Sequence, residues 1–190
     1  TRAIVINTPN NPTGRVFDRE ELEAVAAVCR EHDILAITDE IYEHILYEGE
    51  HLSLATMEGM RDRTVVISGV SKTFSVTGWR VGTIIAPPAL TDAIRKVHDF
   101  LTVGAPAPLQ EACAVGMSAL GDEYYENMAE GYRKRRDALV PALQKAGFDC
   151  SSPQGAYYVL ADFSALSDED DTTFSRRLAR EAGVTPVPGS

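Results

Sequence analysis

The apolar residues fall into short continuous runs that alternate with stretches of helical spacing. Ala3-Ile4-Val5-Ile6, Ile34-Leu35-Ala36-Ile37-Thr38 and Thr64-Val65-Val66-Ile67 are runs of strand length, apolar on both faces, as in buried parallel strands. Between the first two, Leu22, Val25, Ala26 and Cys29 repeat at helical spacing and predict an amphipathic helix over 19–32. Asp18 stands where it can cap that helix, with Glu21 at the third helical position and acids at the positive end of the dipole. This alternation argues for an α/β layered fold with a mostly parallel sheet. Residues 43–63 read as polar and irregular, and His44 and His51 within them, lacking partners at metal-ligand spacing, as surface residues. The run 81–86 follows 64–67 too soon for a helical crossover. It is expected to lie antiparallel to that strand or elsewhere in the sheet.

Further on, Pro87-Pro88 starts a helix over 89–102, with Leu90, Ile94, Val97 and Leu101 on one face. A helix of small residues over about 109–120 reads as fully packed. A long helix follows from Asp122 to Ala146, where Gly131 and Pro141 are candidate bends and Gly147 is the stop. The basic run Arg133-Lys134-Arg135-Arg136 reads as a solvated face, and Asp168-Glu169-Asp170-Asp171 as a solvating loop. Strands are expected at 156–163 and 184–188 and a helix at 172–182, which together make a small α+β unit. A domain boundary is therefore placed near residue 125, with 1–125 and 126–190 belonging to different domains.

Composition narrows the function classes. The 190 residues are 44% hydrophobic and 24% charged, as in an ordinary globular protein. A net charge of −10, from 18 basic and 28 acidic residues, argues against a nucleic-acid partner. Cys29, Cys113 and Cys150 form no C-x-x-C pair and read as reduced thiols. With no apolar run of membrane-spanning length, the expectation is a cytoplasmic protein with neither membrane nor metal. Thr1 lies two residues before a strand, and the chain stops on Val187-Pro188-Gly189-Ser190, so it reads as a segment of a longer protein.

The chemistry concentrates past the strand ends, where ligands bind in open α/β sheets. After the first strand, Thr8-Pro9-Asn10-Asn11-Pro12-Thr13-Gly14 is a rigid turn, either a plain connection or one that aims Asn11 at a ligand. Asp39 closes the second strand as a helix cap or a ligand-facing group, with Tyr42 three residues on. Past the third strand lies Lys72 among Ser68, Gly69, Ser71, Thr73 and Ser75, with Arg80 eight residues later. Gly69-Val70-Ser71-Lys72-Thr73 lacks the closing glycine of a nucleophile elbow, and Ser71-Lys72-Thr73 lacks the glycines of a P-loop. A lysine beside hydroxyls and an arginine suits a ligand carrying both an aldehyde and a phosphate. The lysine would form an imine, and the hydroxyls and arginine would hold the phosphate.

Asn10-Asn11-Pro12-Thr13-Gly14, Asp39-Glu40-Ile41-Tyr42, Ser71-Lys72-Thr73-Phe74 and Thr77-Gly78-Trp79-Arg80-Val81-Gly82 stand in the order and spacing of class I/II aminotransferases of fold type I. Pro153-Gln154-Gly155-Ala156-Tyr157-Tyr158 and Pro188-Gly189-Ser190 resemble that family's small-domain motifs, so the resemblance spans essentially the whole chain. The chain closely resembles the branch acting on aspartate, aromatic amino acids, methionine or kynurenine. The resemblance implies a large pyridoxal-phosphate-binding domain and part of a small α+β domain. It implies that Lys72 holds pyridoxal 5′-phosphate as an internal aldimine and moves the proton. Asp39 would pair with the pyridine nitrogen, Tyr42 and Asn11 with the ring oxygen, and Arg80 and Ser71 with the phosphate. Asn11 and Tyr157 or Tyr158 would approach the substrate.

The resemblance further implies amino-group transfer between an L-amino acid and a 2-oxo acid such as 2-oxoglutarate, in a homodimer with the site at the interface. The alternatives are a C–S lyase or cyclopropane-carboxylate synthase of the same fold, and a non-catalytic regulator domain. The chain departs from the family at Gly69, where many relatives carry a hydroxyl. It also lacks the family's N-terminal glycine-rich turn and stacking aromatic, and the arginine that clamps the substrate carboxylate.

Overall fold

A computed structural model describes residues 1–190. Strands β1 (Ala3–Asn7), β2 (Leu35–Asp39), β3 (Thr64–Gly69) and β4 (Gly82–Ile85) form one sheet in that order. The first three are parallel, and β4 runs antiparallel to β3. Helices α1 (Arg19–Glu31) and α2 (Val70–Thr73, a single turn) fall between the strands. After them come α3 (Pro88–Leu101), α4 (Ala107–Ala119), α5 (Asp122–Lys145) and α6 (Asp171–Glu181). The α/β expectation and the antiparallel placement of the run after Arg80 both hold.

The expected capping box opens α1: Glu21 N–H donates to the Asp18 carboxylate at 2.9 Å, and Asp18 N–H to Glu21 at 3.0 Å. Leu22, Ala26 and Cys29 bury the inner stripe of α1 against Ile6, Ile34 and Ala36. Leu54, Met57 and Met60, from the connection after β2, close that cluster. Side chains alternate across a strand, so Ile6 and Thr38 face this core while Val5, Asn7, Asp39 and Ile67 face the other way. That second face is covered less than the apolar runs predict, with Val5 69% exposed. Its register sets Asn7, Asp39 and Ile67 side by side at the strand ends.

A second cluster joins Tyr42, Ile45 and Tyr47 to Ala156, with Met128 and Tyr132 of α5 packed on it. Backbone bonds lace the two segments together: Tyr47 N–H donates to Gln154 O and Ala156 N–H to Ile45 O, at 2.8 and 2.9 Å. The turn after β1 docks on the same segment, because the amides of Gln154 and Gly155 both donate to Gly14 O, at 2.9 and 2.8 Å. Gly14 has φ +68°, and a Cβ there would lie 2.2 Å from the Pro153 Cβ.

Several expectations need correction. The stretch 156–163 is no strand; it makes only the isolated bridge Asp149–Asp162, with the bridge Leu46–Gly155 just before it, and 184–188 is unpaired. A strand needs a neighbouring ladder, and neither stretch has one. Helix α4 buries only Cys113, and α3 buries none of its apolar face, so neither is packed as their patterns predict. Arg136 is not a solvated charge: its guanidinium lies over the Tyr47 ring at 4.7 Å and donates to Pro153 O at 2.9 Å and to Glu48 at 3.2 Å. The acidic stretch is structural as well. Asp170 caps α6 by accepting from Thr173 N–H, Glu169 pairs with Arg177, and Asp171 holds Ser190. His44 is exposed as expected, but His51 is largely buried against Glu40. All three cysteines are free and buried. No helix is long and apolar enough to cross a membrane.

Candidate active site

Lys72 is fixed by the way the chain leaves the sheet. β3 ends at Gly69, and the next four residues make the single turn α2, whose hydrogen bond from Phe74 N–H to Val70 O closes it. The chain then crosses Thr77–Trp79 and returns as β4 with Gly82 opposite Gly69. A Cβ on Gly69 would stand 2.9 Å from Gly82 Cα, so only glycine permits this close approach. Ser71 and Thr73 point into the protein and are buried, while Lys72 between them is part-exposed.

The Lys72 ammonium lies between two aromatic rings, 5.7 Å from the centroid of Tyr157 and 5.9 Å from that of Tyr42. Both rings come from the laced segments of the second cluster. They meet edge to face at 5.2 Å, and Tyr132 stacks on the far side of Tyr157 at 5.5 Å. The Tyr42 hydroxyl shares a 2.8 Å hydrogen bond with that of Tyr158, and burial pushes the Tyr42 phenol far up. The Tyr157 hydroxyl raises the Lys72 pKa above the ordinary lysine value against partial desolvation, and Arg80 opposes it. Burial pushes the Tyr157 phenol up, but its bonds to Lys72 and to its two neighbouring tyrosines outweigh this and bring it below the ordinary value. The ammonium and the phenol thus stand side by side on a cleft of about 400 Å³. Ser71, Ser75, Thr77 and Arg135 also line this cleft.

Asp39 ends β2 on the sheet face away from α1. One carboxylate oxygen, Oδ1, accepts from Ile41 N–H at 3.2 Å, so the carboxylate caps the following turn, and Oδ2 takes no hydrogen bond within the chain. Beside it, the Asn7 amide donates to Asp39 O at 3.2 Å, and Asn7 Oδ1 accepts from Asn11 N–H at 2.8 Å. The turn is tightened further by Asn10, whose Oδ1 accepts from Thr13 N–H and Oγ1. Asn11 itself is exposed.

The structure thus joins Tyr157, Ser71 and Lys72 around one cleft, with Tyr42 buried beside Lys72 and Tyr157. Asn11 and Asp39 stand at the neighbouring strand ends. Arg80 sits apart from the cleft, in the left-handed conformation (φ 55°), and lines the adjoining groove between β4 and α3 with Ile67, Ser68 and Gly82. Its guanidinium donates to Thr77 O at 3.0 Å. Sequence pattern does not single out Asn7, which only the strand register reveals. Nor does it single out the buried carboxylate of Glu40, which accepts from Thr38, Ser53 and His51.

The model for the family "Aminotransferase class I and II" matches residues 1–190. The aspartate aminotransferase of Musicola paradisiaca is 41% identical over 194 residues, covering all of this chain and 48% of its own length. Human kynurenine–oxoglutarate transaminase 1 is 35% identical over 208 residues, covering all of this chain and 49% of its own. The solved structure of N-succinyldiaminopimelate aminotransferase from Mycobacterium tuberculosis superposes with a TM-score of 0.94 at 36% identity, over 99% of this chain and 49% of that one. The chain therefore spans about half the length of the relatives it matches. With a family match along its whole length and a fold shared with the aspartate-aminotransferase-like proteins of fold type I, the chain belongs to the class I and II aminotransferases.

Proposed function

We propose that the protein is a pyridoxal-phosphate-dependent aminotransferase that moves an amino group between an L-amino acid and a 2-oxo acid such as 2-oxoglutarate. The observation that carries this reading is Lys72 seated between Tyr42 and Tyr157 in a chain of this family. The donor set fits the cofactor. An amine faces an open cleft, a buried hydroxyl (Ser71) adjoins it, and an arginine lies at the other end of the same loop. A carboxylate with a free oxygen closes the neighbouring strand. When bound, the cofactor ring supplies an electron sink for negative charge at the substrate α-carbon.

In this reading Lys72 Nζ is the amine that would hold the cofactor through its aldehyde carbon, with loss of water, and would later serve as the base that moves a proton. Asp39 would pair with the ring nitrogen and favour its protonated form. Tyr42 and Asn11 would hold the ring oxygen. Ser71 and Arg80 would hold the phosphate, the arginine fork matching its oxygens. Asn11 and Tyr157 would contact the substrate. Residues 1–125 belong to the large cofactor-binding domain and 126–190 to the small one, with α5 running from one into the other. The family likeness supports a homodimer with the site at the subunit interface. The acidic charge and unpaired thiols support a cytoplasmic setting.

The test is reductive trapping in the full-length protein. After incubation with pyridoxal phosphate and borohydride, a phosphopyridoxyl group is expected on Lys72, and Lys72→Ala should lower transamination by about 10²–10⁴-fold. A folded protein with no adduct at Lys72 would overturn the assignment. Ammonia release in place of amino transfer would identify a lyase.

A further inference from the structure

Directly behind Asp39 lies a charged group for which the proposed chemistry has no use. Glu40 is 2% exposed, and Glu40 and Asp39 leave the strand end on opposite faces, since Thr38 Oγ1 reaches the Glu40 carboxylate at 2.7 Å on the α1 side. A buried carboxylate is costly unless its oxygens are satisfied, and this one is. Oε1 accepts from Thr38 and from Ser53 Oγ at 2.8 Å, and Oε2 from His51 Nε2 at 2.7 Å. Burial pushes its pKa up, but the bonds from His51, Thr38 and Ser53 outweigh this and leave it below the ordinary value, so the group is ionised. The donors come from two places, the strand itself and the connection eleven residues on, so the carboxylate ties the end of β2 to residues 51–53.

The backbone of Glu40 is also held. Its N–H donates to Ile67 O at 2.8 Å, and its carbonyl accepts from Glu43 N–H at 2.9 Å, which starts the turn carrying Tyr42. The His51 ring uses Nε2 on Glu40 while Nδ1 is buried without a partner. A stable core gains little from such a pair, because burying two polar groups to satisfy each other roughly cancels. What the arrangement does supply is a fixed orientation for the peptide on which Asp39 and Tyr42 both depend.

We propose that Glu40, clamped by His51, is a positioning residue that sets the angle at which Asp39 meets the cofactor ring. It touches neither cofactor nor substrate. It acts by preventing the strand end from rotating, so that the free oxygen of Asp39 is already aimed before the ring arrives and no ordering cost is incurred on binding. This inference rests on the functional reading above, and the test separates the two.

The full-length protein and its Glu40→Gln and His51→Asn variants are prepared free of cofactor and titrated with pyridoxal phosphate. Three quantities are read: the dissociation constant, the visible circular dichroism per bound cofactor at saturation, and the melting temperature of the cofactor-free protein. The dichroism reports a ring held in one orientation, which a purely structural role would leave unchanged at saturation. Glu40→Gln keeps the shape but places an amide among three donors. It should weaken binding about tenfold or more and reduce the dichroism, in the range seen when a ligand-orienting partner is removed. His51→Asn keeps the donors from Thr38 and Ser53 and should shift both quantities in the same direction by less. If Glu40→Gln does not fold, His51→Asn decides. Wild-type affinity and wild-type dichroism in the folded variants, with only the melting temperature lowered, would overturn the inference. A wild-type protein that takes up no pyridoxal phosphate would overturn the functional reading itself, and this inference with it.

Discussion

Substituting Gly14 by alanine tests whether the turn after β1 and the segment carrying Tyr157 form one unit. Two costs arise at this position. At φ +68° any side chain pays the left-handed penalty of about 1–2 kcal/mol. In addition, the new Cβ would stand 2.2 Å from the Pro153 Cβ and 2.8 Å from Gly155 O, distances that no flexible side chain can relieve. The two segments must separate, at an overpacking cost of about 1–3 kcal/mol. Separation also stretches the bonds from the Gln154 and Gly155 amides to Gly14 O, worth about 0.5–1.5 kcal/mol each. The expected loss is about 3–8 kcal/mol in urea unfolding of the full-length protein, with faster hydrogen exchange at Gln154 and Gly155. Gly49→Ala is the matched control. Its φ is +72°, but a Cβ there meets nothing within 4 Å, so it should lose only about 1–2 kcal/mol. Equal losses in the two variants, with unchanged exchange at Gln154 and Gly155, would refute the docking argument.

Two further outcomes follow from the site. Tyr157 holds the Lys72 pKa up, so Tyr157→Phe should lower it. The neutral amine then exists at lower pH, and the midpoint of the pH dependence of pyridoxal-phosphate capture, followed by absorbance in the cofactor-free protein, should move downward; an unmoved midpoint would show that the phenol is idle. Arg136→Lys keeps the charge but loses the planar fork that spans Tyr47, Glu48 and Pro153 O. It should cost about 1–2 kcal/mol in urea unfolding, and a neutral result would mean that the guanidinium's partners contribute nothing.

The parts of the fold that were legible in the sequence are those determined locally. The β-branched runs of β1 to β3, the Asp18 capping box and the reversal into β4 each follow from residues within a few positions of one another. The strand ends carrying Asp39 and Lys72 were legible for the same reason. What was not legible depends on distant partners. Glu40 and His51 are eleven residues apart, outside any recognised spacing, and meet only because the connection after β2 folds back on the sheet. Arg136 looked like one of four surface charges, and its environment is decided by Tyr47 and Pro153. The residues at 156–163 have strand-like composition, but a ladder is made by a neighbour, and composition does not supply one. Helix α3 illustrates the same limit from the other side. Its apolar stripe is real, yet Val97 and Leu101 remain exposed, because a pattern states which face seeks cover without stating what provides it.

The pairing of Gly69 with Gly82 has a bearing on how this part of the molecule can be exchanged. Everything from Val70 to Val81 hangs from two adjacent backbone points that face each other across the sheet. The two ends of the span that holds the lysine and the arginine are fixed by that pair, and α5 ties its middle, with the Tyr124 hydroxyl donating to Thr73 O at 2.8 Å and the Tyr124 ring against Phe74. Such a segment behaves as a cassette with one outside tether: moved whole between relatives, ends included, it should carry its internal geometry along where the recipient supplies the counterpart of Tyr124. A graft cut inside the glycine pair would inherit the residues and lose the spacing.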